Sequence, residues 1–302
     1  MPNFITEDDI ERTVLDKLHR EFGYEVLNCY TADAADLNDR SGRSDKREVI
    51  LDRLRAAALR LNPSLPESAI DEALQRLTDL RRALSPIAAN RELDGLIRDG
   101  IPIEFENAQG RKEQERVRVI AFDNRAANEF LAVAQLWIKG ERGFRRPDIL
   151  LYVNGLPLVF IELKNSDVKL RTAFDDNLTT YKKEIPQLFL TNAFCLLSNA
   201  IETKVGSCTA GWEHCFNWLR VADEKEKVDR AQVKRAGTSV ELALAGLCAP
   251  DKLLDYVENF ILYYKETQKI IAQNHQFIGV NNAFRAFEQR KRKSGSAGRV
   301  LA

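Results

Sequence analysis

Near the middle of this 302-residue sequence Asp148 follows Pro147, and thirteen residues then separate it from the run Glu162-Leu163-Lys164. Two carboxylates held close together repel and raise one another's pKa, and Mg2+ relieves that repulsion with the hard oxygen ligands it prefers. An ammonium group beside such a site can orient or help to deprotonate a water, and can stabilise negative charge growing on phosphorus. Asp148, Glu162 and Lys164 therefore fit the hydrolysis of a phosphodiester. A Glu-x-Lys met at random is a structural ion pair, so the reading depends on what surrounds it.

The surroundings favour the chemistry. "DILLYVNG" and "LPLVFIELK" are apolar, β-rich runs joined by Asn154-Gly155, a strong hairpin signal. Glu162 and Lys164 are two apart and project from one face, while Asp148 opens the neighbouring strand. The second run is apolar at every position up to Glu162, which predicts a central strand covered on both sides. Charges entering such a strand need a partner or a metal.

Further elements must hold this hairpin. Thr6 and Asp9 resemble a capping box, and Ile10, Val14, Leu15, Leu18 and Phe22 recur at helical spacing until Gly23. Residues 43–61, 67–84 and 88–98, punctuated by Pro63, Pro66 and Pro86, read as a helical insertion over about 43–98. Arg116–Asp123 alternates as a half-buried strand, and Asn124 is expected to cap a helix over "RAANEFLAVAQLWI". A helix over about 170–185 and strands near "FCLLSN" and "ETKVGS" follow. From about Val221 the chain reads as almost wholly helical, with apolar positions in "LLDYVENFILYY" that require burial. It ends in "RKRKSGSAGRVLA", which reads as a flexible basic linker. The fold class expected is α/β: a mixed central sheet flanked by helices, with a helical insertion and a helical C-terminal extension.

Bulk composition narrows the partners. Lys plus Arg and Asp plus Glu each total 45, so any polyanion site must be local. Arg145, Arg146, Lys169, Arg171, Lys182 and Lys183 bracket the hairpin and could form a basic rim for double-stranded DNA. No apolar stretch approaches the length of a membrane span, and the N-terminus lacks a signal pattern, so a cytoplasmic location without membrane contact is expected. Five scattered cysteines without a C-x-x-C pair read as reduced thiols, and "CTAGWEHC" lacks finger spacing.

The Pro-Asp and Glu-Leu-Lys arrangement resembles the PD-(D/E)xK nuclease motif. With "IPIEFEN", "NEFLAVAQLWI", "YKKEIPQLF" and "FILYYKETQKIIAQNHQFIGVNNAF" in the same order, the sequence resembles the restriction (motor) subunit of type I restriction-modification enzymes. The resemblance implies an endonuclease domain over 1–220, with 221–302 leading into a helicase motor. It implies Mg2+ held by Asp148, Glu162 and the Leu163 carbonyl, with Lys164 positioning or activating the attacking water. It adds a first-helix glutamate, matched by Glu11 with Glu7 as the fallback. It also adds a Q-x-x-x-Y element, matched by Asn177 and Tyr181 with Asn in place of Gln. Gln276 matches a stretch near the motor's nucleotide base. Methyltransferase and specificity subunits are the implied partners, and ATP belongs to the full-length subunit, because no G-x-x-x-x-G-K-[ST] loop occurs in these 302 residues. A repair nuclease of the same superfamily and a catalytically inactive assembly module are the rival readings.

Overall fold

The computed structural model describes residues 4–297 other than 80, 82, 108 and 266. The first helix, α1 (Glu7–Arg20), begins where the Thr6 hydroxyl accepts the Asp9 N–H at 3.1 Å, and it buries Ile10, Val14 and Leu18 as the spacing predicts. Strand β1 (Glu25–Asn28) follows. The helix expected from Arg43 is absent, and regular structure resumes only at α2 (Arg53–Leu61). The reason is charge: Arg43 and Lys46, read as part of the helical insertion, are buried against Asp39, each at 2.7 Å. Against its burial, hydrogen bonds from Lys46, from the Ser41 hydroxyl and N–H and from Arg43 draw the Asp39 carboxyl down to about 2. The rest of the insertion is helical as expected, with α3 (Glu67–Thr78) and α4 (Pro86–Asp99).

A hairpin of β2 (Ile101–Glu106) and β3 (Lys112–Val117) comes next, so the strand expected at 116–123 ends early. The helix predicted after Asn124 is not formed. A single 3-10 turn (Arg125–Ala127) leads into β4 (Phe130–Ala134), which lies between β1 and its neighbour on the other side, and Asn124 makes no side-chain cap. Pairing on both edges overrides the helical preference of an Ala-rich segment, as tertiary context commonly does. A short hairpin, β5 (Ile138–Gly140) with β6 (Gly143–Arg145), precedes the predicted one, β7 (Ile149–Val153) with β8 (Leu156–Leu163).

The β7–β8 turn is built as the dipeptide demands. Asn154 and Gly155 both have positive φ, 51° and 83°, and the Asn154 side chain also ties Glu129 and Val119 to the turn. After β8 come α5 (Leu170–Thr172), a π-turn (Ala173–Leu178) and α6 (Thr179–Glu184), then β9 (Phe194–Ser198), β10 (Thr203–Gly206) and β11 (Phe216–Asn217). The seven-stranded sheet has the order β1-β4-β7-β8-β9-β10-β11. Its β1–β4 and β8–β9 pairs are parallel and the others antiparallel, so the mixed sheet read from the sequence is present.

Every residue of β7 and β8 is buried, because apolar clusters cover both faces of the sheet. Ile10, Val14 and Leu18 of α1 pack with Ile149, Leu151 and Ile161 on one face, while Leu178 and Tyr181 pack with Leu150, Tyr152 and Phe160 on the other. Helices α7 (Arg230–Ala236), α8 (Ser239–Ala243) and α9 (Pro250–Asn259) follow. The wholly helical reading fails beyond α9, where β12 (Ile261–Tyr264) pairs with β13 (Gln268–Ile271). That segment has period two: Ile261, Lys269 and Ile271 are buried, while Leu262, Tyr264 and Ile270 face outward, so burial of the apolar run is only half realised. Helix α10 (Asn274–Ala297) then runs through residues 290–297, where a flexible linker was expected, and residues 298–302 of that stretch lie outside the described residues. Trp218, Tyr256 and Phe277 meet with ring centroids 5.3–5.8 Å apart, and they join the same cluster as α1.

Gly155 tests the hairpin. A Cβ there would lie 2.7 Å from the Leu51 carbonyl oxygen and 2.7 Å from the Leu54 nitrogen, at a φ that side chains avoid. Gly155→Ala should lower stability by about 1–3 kcal/mol, read as a fall in Tm and in urea midpoint. An unchanged Tm would show that the contact with the 51–54 segment yields freely.

Candidate functional site

The site lies where β8 ends, between α1 on one face of the sheet and α6 on the other. Asp148 immediately precedes β7 and Glu162 is the penultimate residue of β8; the two are 7% and 1% exposed. Ile149 pairs with Ile161, so the hairpin register brings Asp148 opposite the end of β8. One oxygen of Asp148 accepts the Leu163 N–H at 2.7 Å. Lys164 donates to Glu162 Oε1 at 3.0 Å and to the Leu163 carbonyl at 2.7 Å, with Glu7 at 3.8 Å. The same-face projection of Glu162 and Lys164 and the approach of Asp148 are thus as the strand period predicted.

Charge is held here under tension. Burial pushes the Asp148 carboxyl up to about 7, against the pull of the Leu163 N–H. Burial also raises Glu162 well above the usual carboxylate range; the charge of Asp148 adds to this and Lys164 opposes it. Burial pulls Lys164 down, but Glu162, Asp148 and Glu7 together outweigh it and leave the ammonium above its ordinary value. Lys164 is therefore a cation at neutral pH. One lysine cannot satisfy both carboxylates, and Glu162 Oε2 is fully buried without a hydrogen-bond partner.

An orphaned carboxylate oxygen beside a second carboxylate of raised pKa suits a divalent cation with oxygen ligands. Asp148 and Glu162 could hold one. The Leu163 carbonyl faces the same space and keeps a second lone pair beyond its bond to Lys164. Among the described residues no three His, Cys, Asp or Glu side chains converge into a ready cage. The same holds for the Cys208–Cys215 stretch, and all five cysteines are free.

The remaining sequence candidates fall around this centre. Ser166 and Asn165, just past Lys164, accept the N–H groups of Ile5 and Glu7 at 2.9 and 2.7 Å, which fastens the start of α1 to the end of β8. Glu7 and Glu11 thereby reach the site, and both charges act on Asp148. Glu11 accepts a hydrogen bond from the Gln135 amide, and burial raises its pKa. Tyr181 lies on α6, its hydroxyl donating to the Arg146 carbonyl at 3.3 Å. Burial and the charge of Glu162 raise the pKa of this phenol, while the neighbouring Asn177 side chain lowers it. Asn177 sits in the π-turn. Gln276 lies far along the chain on α10, where it caps the local backbone by accepting the Gln273 N–H.

Gln135 was missed by the sequence reading. It ends β4 with φ 58°, donates its backbone N–H to the Asp148 carbonyl at 2.9 Å, and fixes Glu11 through its side chain. A left-handed non-glycine residue next to a candidate site is the kind of strain that accompanies function. It was hidden because the segment read as a helix.

Residues 4–214 match the family described as Type I restriction enzyme R protein N terminus. The chain is 36% identical over 293 residues to the Type I restriction enzyme HindI endonuclease subunit of Haemophilus influenzae, covering 92% of this chain and 26% of that protein. It is 31% identical over 258 residues to the Putative type I restriction enzyme MjaIXP endonuclease subunit of Methanocaldococcus jannaschii, covering 80% of this chain and 24% of that one. The chain thus spans about a quarter of the length of these curated relatives.

The raised carboxyl at Asp148 has a consequence for stability. Its folded pKa of about 7 lies above the ordinary 3.8, so the folded state favours the protonated form, and stability from this group is lost as pH rises through that interval. Asp148→Asn keeps an acceptor for the Leu163 N–H and removes the charge. In a chelator it should raise stability at about pH 8 by about 1–2 kcal/mol, with the gain shrinking as pH falls and vanishing only near about pH 4. A Tm that falls equally at both pH values would contradict the burial account.

Proposed function

The chain belongs to the family of type I restriction enzyme R protein N-termini, and from that premise we propose that it is the Mg2+-dependent DNA endonuclease domain of such an enzyme. The observation that carries the reading is the buried Asp148–Glu162 pair with one unpaired carboxylate oxygen and a single lysine beside it. In a purely structural ion pair the charges would balance and the oxygens would be satisfied.

Asp148 and Glu162 would hold the metal, with the Leu163 carbonyl beside them, while Glu11, held by Gln135, adds its charge from α1. When bound, the cation would supply Lewis acidity toward a phosphodiester oxygen and a water of lowered pKa. Lys164, anchored by Glu162 and Leu163 and kept protonated by three carboxylates, presents its ammonium to the attacking water and to charge developing on phosphorus. Tyr181 of α6 and Asn177 of the preceding π-turn would line this point, and Gln135 holds Glu11 in position. The DNA would be unmodified foreign duplex delivered by methyltransferase and specificity subunits in the cytoplasm. Among the described residues no helix is long and apolar enough to cross a membrane. The rest of the subunit, about three quarters of the relatives' length, would carry the ATP-driven motor, with residues 221–302 leading toward it.

Two measurements test this. Calorimetry with Mn2+ or Mg2+ on the chain itself should show binding that Glu162→Ala abolishes and Lys164→Ala retains. In the assembled enzyme with ATP and Mg2+, Lys164→Ala should lower the cutting of unmodified plasmid by about two to three powers of ten, while DNA-stimulated ATPase continues. Near-normal cutting would reduce Lys164 to a structural counter-charge and remove the nuclease reading. The 302-residue chain alone should not hydrolyse ATP with DNA present, and measurable turnover would refute the assignment of the motor to the remainder.

A further inference from the structure

The cations around the site are not equivalent. Arg145 is committed to Glu184, Arg171 to Asp175, and Lys182 donates to the Cys208 carbonyl at 3.1 Å. Lys169 and Lys183 are exposed, and among the described residues neither side chain has a hydrogen bond or ion pair. Arg146 differs from all of these. It is half-buried, its guanidinium carbon lies 5.0 Å from the centroid of Tyr30 and 4.9 Å from that of Trp137, and no hydrogen bond or ion pair from its guanidinium is found among the described residues. Its plane is held by two aromatic rings while its donors remain uncommitted.

The tryptophan is itself fixed. Trp137 Nε1 donates to the Thr31 carbonyl at 3.0 Å, and the Trp137 carbonyl accepts from Arg43 at 3.0 Å. Arg43 is locked to Asp39, as is Lys46, and the Lys46 carbonyl accepts the Lys139 N–H at 2.8 Å. The irregular 29–52 segment thus holds Trp137 through a buried ion cluster and supplies Tyr30 from its start, so that both rings meet one guanidinium. That guanidinium belongs to the residue two before Asp148, and its backbone carbonyl is the acceptor of Tyr181.

We propose that Arg146 is a phosphate-binding residue of this site, presenting its free guanidinium edge to a non-bridging oxygen of the DNA backbone next to the bond that is cut. The proposal rests on the nuclease reading above. A stacked arginine suits the task because its fork matches two phosphate oxygens and the rings remove the freedom that binding would otherwise have to suppress.

The test uses the assembled enzyme with Arg146→Ala, Arg146→Lys, Tyr30→Ala, Tyr30→Phe and Lys164→Ala subunits, each assayed for plasmid cutting and DNA-stimulated ATPase. Arg146→Ala should cut about ten- to a hundredfold more slowly, the loss of one charge-assisted contact, with ATPase intact. Arg146→Lys should recover only part, since it keeps the charge without the plane. Tyr30 is exposed and its removal spares the fold, so Tyr30→Ala should fall partway, and Tyr30→Phe should cut faster than Tyr30→Ala. Mn2+ calorimetry and Tm of the Arg146→Ala chain should match the parent. Normal cutting by Arg146→Ala alongside an inactive Lys164→Ala overturns this proposal and leaves the nuclease reading standing. Normal cutting by Lys164→Ala overturns both. The Arg146 charge also acts on Glu11, so loss of Mn2+ binding or of Tm in Arg146→Ala would make the residue a structural counter-charge, and would also overturn the proposal.

Discussion

The structure is organised around two carboxylates forced together at the end of a buried strand. Asp148 and Glu162 sit where water cannot screen them, and neither can be neutralised fully by the single ammonium of Lys164. Everything near them manages that charge. The Leu163 N–H and Lys164 supply partial compensation from the strand itself. Asn165 and Ser166 then capture the start of α1, which brings two further glutamates instead of relief. A fold that spends burial on an unbalanced set of anions is less stable than it could be without a cation, and such a trade is expected where the deficit is the site of binding.

The sheet makes this concentration possible. Both faces of β7 and β8 are covered, by α1 on one side and by α5, the π-turn and α6 on the other. Charges leaving the strand end are therefore framed by helices on two sides. The π-turn at Ala173–Leu178 changes the helical register just before Tyr181, whose side chain packs with Phe160 at 5.8 Å between centroids and turns its hydroxyl toward Arg146. Such turns recur at functional positions because they re-aim side chains within an otherwise regular helix.

Polar burial also shapes the periphery. Asp39, Arg43 and Lys46 form a compact ion cluster where a surface helix would have exposed the same residues. Lys269 is likewise buried, donating to Asn90 at 3.1 Å and to the Asn192 carbonyl, and it ties β13 to α4 and to the segment before β9. These contacts join residues far apart in the chain. The aromatic group of Trp218, Tyr256 and Phe277 does the same for the C-terminal helices, which share one core with α1.

What the sequence determined by itself was local. Period-two alternation, the Asn154-Gly155 turn and an apolar run on both faces were enough for β7 and β8 and for the common face of Glu162 and Lys164, whereas the register shift between Leu151 and Tyr152, which sets Asp148 opposite Glu162, left no mark in the pattern. The capped stripe of α1 and the mixed, helix-flanked sheet were legible for the same reason: each depends on neighbours within a few residues. Tertiary structure decided the rest. The 124–137 segment has the composition of a helix, yet strand pairing on both edges made it β4 and created the strained Gln135 that holds Glu11. Arg43 and Lys46 read as helix residues, because their partner Asp39 acts only once the 29–52 segment is folded back on Trp137. The β12–β13 hairpin was masked by helical residues on either side, and its alternation becomes meaningful only when one of its faces finds a core. Whether a side chain is a surface charge, a counter-ion or a guanidinium held by two rings depends on contacts at long sequence separation, and no spacing rule within the chain encodes those.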